Sequence, residues 1–246
     1  MQLTFIANFY SLILPGQIAG EIVKAYRLGQ GRSDAEHIAA SVLVDKLIGL
    51  FGLLAVAAAG LLASHALIPI EISLSISLFT LFFFVGLFCI KIPIIYQIIS
   101  YPLKLIIIQW PRFEQRIIQI LKILDAWKVF LDSPLRLFFA FLLGVGFQLV
   151  CVWIAILFAN EMGIDLPFPD WSWILGLVSV AVLLPISIGG IGVREGTFVG
   201  ILSLQGIPVD KSIALSFAVF SISLIGAIIG GVFEIFNYGP KTHHRS

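Results

Sequence analysis

The side chains of this 246-residue chain whose setting points to work on a polar group lie at two glycine-containing stretches. In LPISIGGIGVR (184–194), Ser187, Gly189, Gly190 and Gly192 lead into the adjacent pair Arg194 and Glu195. A cation and a carboxylate inside an apolar run are costly to bury and need partners or water. A guanidinium there can hold a phosphate through charge-assisted hydrogen bonds, and the glycines let a ligand approach the backbone. The second stretch, LPGQIAGEIVK (14–24), brings Gly20, Glu21 and Lys24. Asp45 and Lys46 form a third charged pair at the start of a long apolar run. The chemistry on offer is recognition of an anionic headgroup by Lys24 and Arg194. Glu21 and Glu195 would pair with those cations when the site is empty, or contact an amino group. Plainer readings stand beside it: Glu21 and Lys24 as interface charges, Asp45 and Lys46 snorkelling to the surface, and the glycines as helix-packing positions.

The two stretches are related. Placing residue n beside n+170 matches Leu14, Pro15, Ile18, Gly20 and Val23 with Leu184, Pro185, Ile188, Gly190 and Val193, and Lys24 with Arg194. Proline removes a backbone donor and clashes with the preceding turn, so a helix reaching Pro15 or Pro185 ends or kinks. At membrane depth the freed backbone groups are tolerated only inside protein or beside a water-filled cavity. Broken helices at corresponding positions of two halves are the best sequence pointer to a transporter's binding site.

The elements that must carry these residues follow from composition. Hydrophobic residues make up 59% and charged residues 12%, against about 25% charged in a soluble domain. The bilayer must be the solvent, and only helices or a closed barrel satisfy the backbone there. Unbroken apolar runs replace the alternation of a barrel, so the expected fold is all-α: a polytopic membrane helix bundle with Pro/Gly-broken helices, one membrane domain over 1–246. Spans are expected at about 41–63, 68–90, 135–159 and 212–236, with broken segments at 1–30 and 171–205.

Residues 91–134 read as a cytoplasmic or interfacial region. Within it, Arg112, Arg116, Gln119 and Lys122 oppose Ile117, Ile120, Leu121 and Leu124 on an amphipathic surface helix. The stretch 92–110 is apolar enough to insert, although Pro93, Pro102 and Lys104 favour the interface. Lys/Arg bias places 91–136 and the basic tail in the cytoplasm and the acidic 160–170 loop outside, in a plasma (inner) membrane. Glu234, near the end of the last span, reads as interfacial.

Cys89 and Cys151 lie inside apolar runs and read as buried thiols. No metal-ligand cluster, nucleotide loop or convincing catalytic set is legible, so no cofactor, no metal, no nucleic-acid partner and no enzymatic role are expected. Residues 1–14 lack the basic start of a cleavable signal peptide.

LPGQIAGEIVKAYRLG, VLVDKLIGL and above all LPISIGGIGVREGTFVGIL together resemble the flippase-like membrane region of lysylphosphatidylglycerol synthases, which also occurs as stand-alone bacterial and archaeal membrane proteins. In that family the first motif usually reads LP-x-x-x-GG-D/E-x-x-R-A-Y. Gly20, Glu21, Ala25 and Tyr26 match it, while Ala19 replaces a glycine and Lys24 the arginine. Losing the fork-shaped guanidinium weakens phosphate clamping at that position. Members typically carry further hydrophobic helices before the first motif, so an N-terminally shortened form is expected. The resemblance implies a protein that binds an anionic lipid, of phospholipid or polyprenyl-phosphate type, and moves it between leaflets. An alternative is a non-catalytic membrane partner or anchor for an envelope glycosyltransferase or aminoacyltransferase.

Overall fold

The computed structural model describes residues 2–14, 18–30, 35–64, 134–184 and 187–237, with single positions at 74, 77, 78, 80, 97, 100–102, 112, 117, 118 and 121. The proposed span 68–90, the stretch 92–110 and the amphipathic helix fall largely outside the described residues, as do Pro15, Pro185 and the tail from 238.

The architecture is all-α. The helices are α1 (Gln2–Ile13), α2 (Ile18–Gly29), α3 (Ala35–Ala63), α4 (Pro134–Glu161), α5 (Phe168–Leu183), α6 (Val193–Leu204) and α7 (Val209–Asn237). Among the described residues three segments are long and apolar enough to cross a membrane: Ser41–Ala63, Leu135–Glu161 and Val209–Phe236. They coincide with three of the expected spans. Helix α5 is apolar but has only 16 residues, about 24 Å at 1.5 Å per residue, which is short of a hydrocarbon core of about 30 Å.

Local chemistry sets the helix ends. At the end of α4 the Ile164 amide donates to the Ala159 carbonyl (2.9 Å) and the Gly163 amide to Asn160 (3.0 Å). After α6 the Ile207 amide donates to Leu202 (3.1 Å) and the Gly206 amide to Ser203 (3.0 Å). Both are Schellman closures, which satisfy the last carbonyls of a helix. Asp210 in the first turn of α7 lies at the positive end of its dipole.

The outer face of α4 is a stripe of exposed Leu135, Phe138, Leu142, Phe147, Val150, Trp153 and Leu157. Lipid tails are as apolar as these side chains, so exposing them to a bilayer costs nothing.

The chain divides into two compact units: Met1–Leu28 with Trp153–Leu166 and Leu177–Ser246, and Gly29–Val152 with Pro167–Gly176. In the first, α1 and α6 each pack on α7. A methyl group on Gly230 of α7 would overlap the Phe5 carbonyl of α1, and the Phe5 and Phe233 rings lie 6.1 Å apart. Small residues let the two backbones approach that closely. Gly20 of α2 sits equally close to the Ala7 carbonyl and the Ser11 hydroxyl of α1. In the second unit, Gly52 of α3 meets the backbone of Gly144 in α4, and Gly60 faces Ser172 of α5. The Ser64 hydroxyl beyond α3 donates to the buried Asp170 carboxylate in the first turn of α5.

Candidate functional site

The second break builds a tight turn ahead of α6. Gly189, Gly190 and Gly192 have φ of 62°, 80° and 84°, a left-handed region that costs other residues roughly 1–2 kcal/mol each. Gly190 is doubly constrained: a Cβ there would lie 2.5 Å from Val182 Cγ1 and 3.4 Å from Arg194 Nη2. The overlap is with Val182, while Arg194 Nη2 would lie at ordinary contact distance. The Arg194 amide donates to the Gly190 carbonyl (3.0 Å), closing the turn into the helix.

Arg194 is only 7% exposed. Its guanidinium carbon lies 4.8 Å from the centre of the Phe220 ring of α7, a cation–π contact. Among the described residues it has no ion pair, and its buried Nη1 has no hydrogen-bond partner. Helix α6 lies outside the three spanning segments. Burial there pushes the Arg194 guanidinium below its ordinary range, opposed by the nearby Glu195 carboxylate. A guanidinium nevertheless stays charged in proteins.

Glu195 does not neutralise Arg194 by an ion pair, as the sequence led us to expect for the empty site. Consecutive residues on a helix do not face each other, and the Glu195 carboxylate is engaged elsewhere. One oxygen accepts from the Gly192 amide, and the other from the Ser216 hydroxyl of α7 at 3.2 Å. The first bond is the carboxylate half of a capping box, which satisfies an otherwise orphaned amide at the helix start. The second ties α6 to α7. Glu195 therefore fixes the turn that presents Arg194. Ser187, just before the glycines, holds a buried hydroxyl with no partner among the described residues.

The first break supplies neighbouring structure. A Cβ on Gly189 would stand 3.0 Å from the Leu12 carbonyl of α1, so the end of α1 lies directly against the second glycine turn. Glu21 and Lys24, on one face of α2, form an i,i+3 ion pair at 3.6 Å. Asp45 and Lys46 lie on α3 in the other unit, Asp45 exposed and Lys46 half-buried.

Sequence reasoning missed a third cluster in the first unit. Arg27, in the last turn of α2, is ion-paired with Glu234 of α7, and the Tyr10 hydroxyl of α1 donates to the same carboxylate oxygen at 2.9 Å. The Arg27 guanidinium also lies 5.9 Å from the Tyr10 ring centre. Glu234 is therefore buried against α1 and α2. Phe220 and Ser216 likewise gave no sequence signal, since each acquires its role only by facing α6.

Among the described residues no group of His, Cys, Asp and Glu could hold a metal ion. The family model described as lysylphosphatidylglycerol synthase TM region matches residues 1–231. No curated protein and no solved structure matches the chain.

Proposed function

The chain belongs to the family of the lysylphosphatidylglycerol synthase TM region, and on that premise we propose that it binds an anionic lipid headgroup at Arg194 and moves the lipid between leaflets. The observation that carries this reading is a buried guanidinium with no ion pair among the described residues. Taking a cation out of water costs several kcal/mol unless something compensates. The ring of Phe220 compensates only in part, because a cation–π contact contributes about 0.5–2 kcal/mol. A phosphate seated on the free edge of Arg194 would supply the missing anion. The positive end of α6 favours the same charge, as does the Ser187 hydroxyl, which has no partner among the described residues.

The ligand is an anionic phospholipid or polyprenyl-phosphate lipid, and the role is transport rather than catalysis. The membrane is the plasma (inner) membrane, with 91–136 and the C-terminus on the cytoplasmic side, in keeping with their basic character. Glu21 and Lys24, already paired, form a secondary contact on the approach to the site. The test is a headgroup-accessibility assay in liposomes. Reconstituted full chain should speed leaflet exchange of a labelled anionic phospholipid, and Arg194→Met should lose that acceleration. Exchange that is absent with every anionic lipid tried would refute translocation. Absence of exchange together with retention of a transferase from membrane extracts would favour the anchor alternative.

A further inference from the structure

We propose that the chain between α4 and α7 is a re-entrant hairpin, dipping from one membrane face and turning back at its glycines, so that Arg194 holds a lipid phosphate inside the hydrocarbon rather than at a surface. The phosphate station rests on the Arg194 reading; the depth of the turn does not.

The helix register sets the depth. A Cβ on Gly163, just past α4, would stand 3.4 Å from the Nζ of Lys211 in the first turn of α7, so α4 ends and α7 begins at one face. Helix α6 runs back along α7: Arg194 lies against Phe220, Glu195 meets Ser216, and the far end of α6 joins α7 through residues 205–208. At 1.5 Å per residue, Phe220 lies about 17 Å along α7 from Val209 and about 24 Å from Phe236. The spanning segment has 28 residues, about 42 Å, against a hydrocarbon core of about 30 Å. Centred on that core, it puts Phe220 and the guanidinium beside it about 11 Å below the nearer edge.

Polarity agrees with the register. Between Asp170 and Asp210, Arg194 and Glu195 are the only charged residues. A turn emerging on the far face would carry the charges and aromatic anchors of an interface. Those gather at the two ends of the hairpin instead, with Asp165, Asp170, Trp171 and Trp173 before it and Asp210 and Lys211 after it. Around the turn Leu184, Ile188 and Ile191 are at least half exposed, which costs nothing against lipid tails and is unfavourable against water. The backbone fits the same depth. A freed amide in hydrocarbon needs a partner within the protein, and the Gly192 amide has one in the Glu195 carboxylate, whose other oxygen is held by Ser216.

The depth bears on what binding at Arg194 accomplishes. A headgroup resting in a leaflet lies at the interface, so reaching Arg194 carries its phosphate about a third of the way across the hydrocarbon. Binding is then already partial translocation, whereas a surface anchor needs no such depth. On the orientation proposed above, with the C-terminal end of α7 cytoplasmic, the hairpin enters from the outer face.

The experiment is single-site labelling of the full chain in liposomes, with Cys89 and Cys151 replaced by serine. Asp165→Cys and Asp210→Cys should react with a membrane-impermeant maleimide from one and the same side, and reaction from opposite sides would overturn the hairpin. A nitroxide on Ile188→Cys should be relaxed by oxygen and not by a water-soluble nickel chelate. Relaxation by the chelate from either side would overturn the depth. A second readout leaves the native sequence intact. Phosphatidylcholine with a diazirine midway along its acyl chain should label the peptide 187–193, and phosphatidylcholine with a diazirine on its headgroup should not; labelling by the headgroup probe as strong or stronger overturns the proposal. A turn found at this depth whose Arg194→Met variant still speeds leaflet exchange supports the hairpin and refutes the Arg194 reading. A turn found at the surface, with exchange lost in Arg194→Met, overturns this proposal alone.

Discussion

Replacing Arg194 by methionine should weaken lipid binding without weakening the fold, and the two effects separate a ligand-binding cation from a structural one. Methionine keeps an unbranched, flexible stem that can still pack on Phe220 and rest against Gly190. What it removes is one buried charge, 7% exposed and with no ion pair among the described residues. A hydrogen bond to a charged group contributes about 1.5–3 kcal/mol, so losing one to a phosphate predicts roughly 10- to 150-fold weaker binding. In the lipid-free protein the sign reverses. The substitution discards a desolvation penalty of several kcal/mol and loses a cation–π contact of about 0.5–2 kcal/mol, so stability should be unchanged or higher. The assay pairs thermal unfolding in detergent without lipid with titration by a short-chain anionic phospholipid. A variant destabilised by more than about 2 kcal/mol that still binds lipid as wild type does would refute the reasoning, because it would make Arg194 a structural counter-charge.

Five further substitutions test the surrounding geometry. Gly190→Ala and Gly192→Ala share a left-handed backbone, but only Gly190 has a neighbour in the way, Val182 Cγ1 at 2.5 Å from the new Cβ. Gly192→Ala should cost roughly 1–2 kcal/mol and Gly190→Ala a further 1–3 kcal/mol from overpacking, a gap readable in unfolding midpoints. Glu195→Ala should destabilise by about 0.5–2 kcal/mol through loss of the cap. In a double-mutant cycle, Ser216→Ala should show coupling to it of at least about 0.5 kcal/mol, whereas additivity would mean their 3.2 Å contact contributes nothing. Gly230→Ala pushes a methyl into the Phe5 carbonyl, a backbone atom that cannot rotate aside. It should therefore cost at least about 1–3 kcal/mol, and limited proteolysis should find the α1 segment more accessible than in wild type.

The sequence by itself determined the solvent, the all-helical class and the places where helices must stop. These depend on local properties: long apolar runs, and proline or glycine at particular positions. It also singled out Arg194, because a cation in an apolar, glycine-rich run is anomalous wherever it lies. The family pattern, read from the same residues, agrees with the match over 1–231. What it left undecided was who pairs with whom. Glu195 stands next to Arg194 in the chain, yet it turns to the Gly192 amide and to Ser216, 21 residues on. Arg27 meets Glu234 across 207 residues, and Tyr10 meets it across 224. No local rule selects among distant partners. Only the packing of α1 and α6 on α7 brings them within reach, and that packing depends on small residues whose meaning appears once a backbone lies against them. Tertiary structure thus decided that Arg27 is ion-paired while Arg194 has no ion pair among the described residues, because charge balance is a property of neighbours in space.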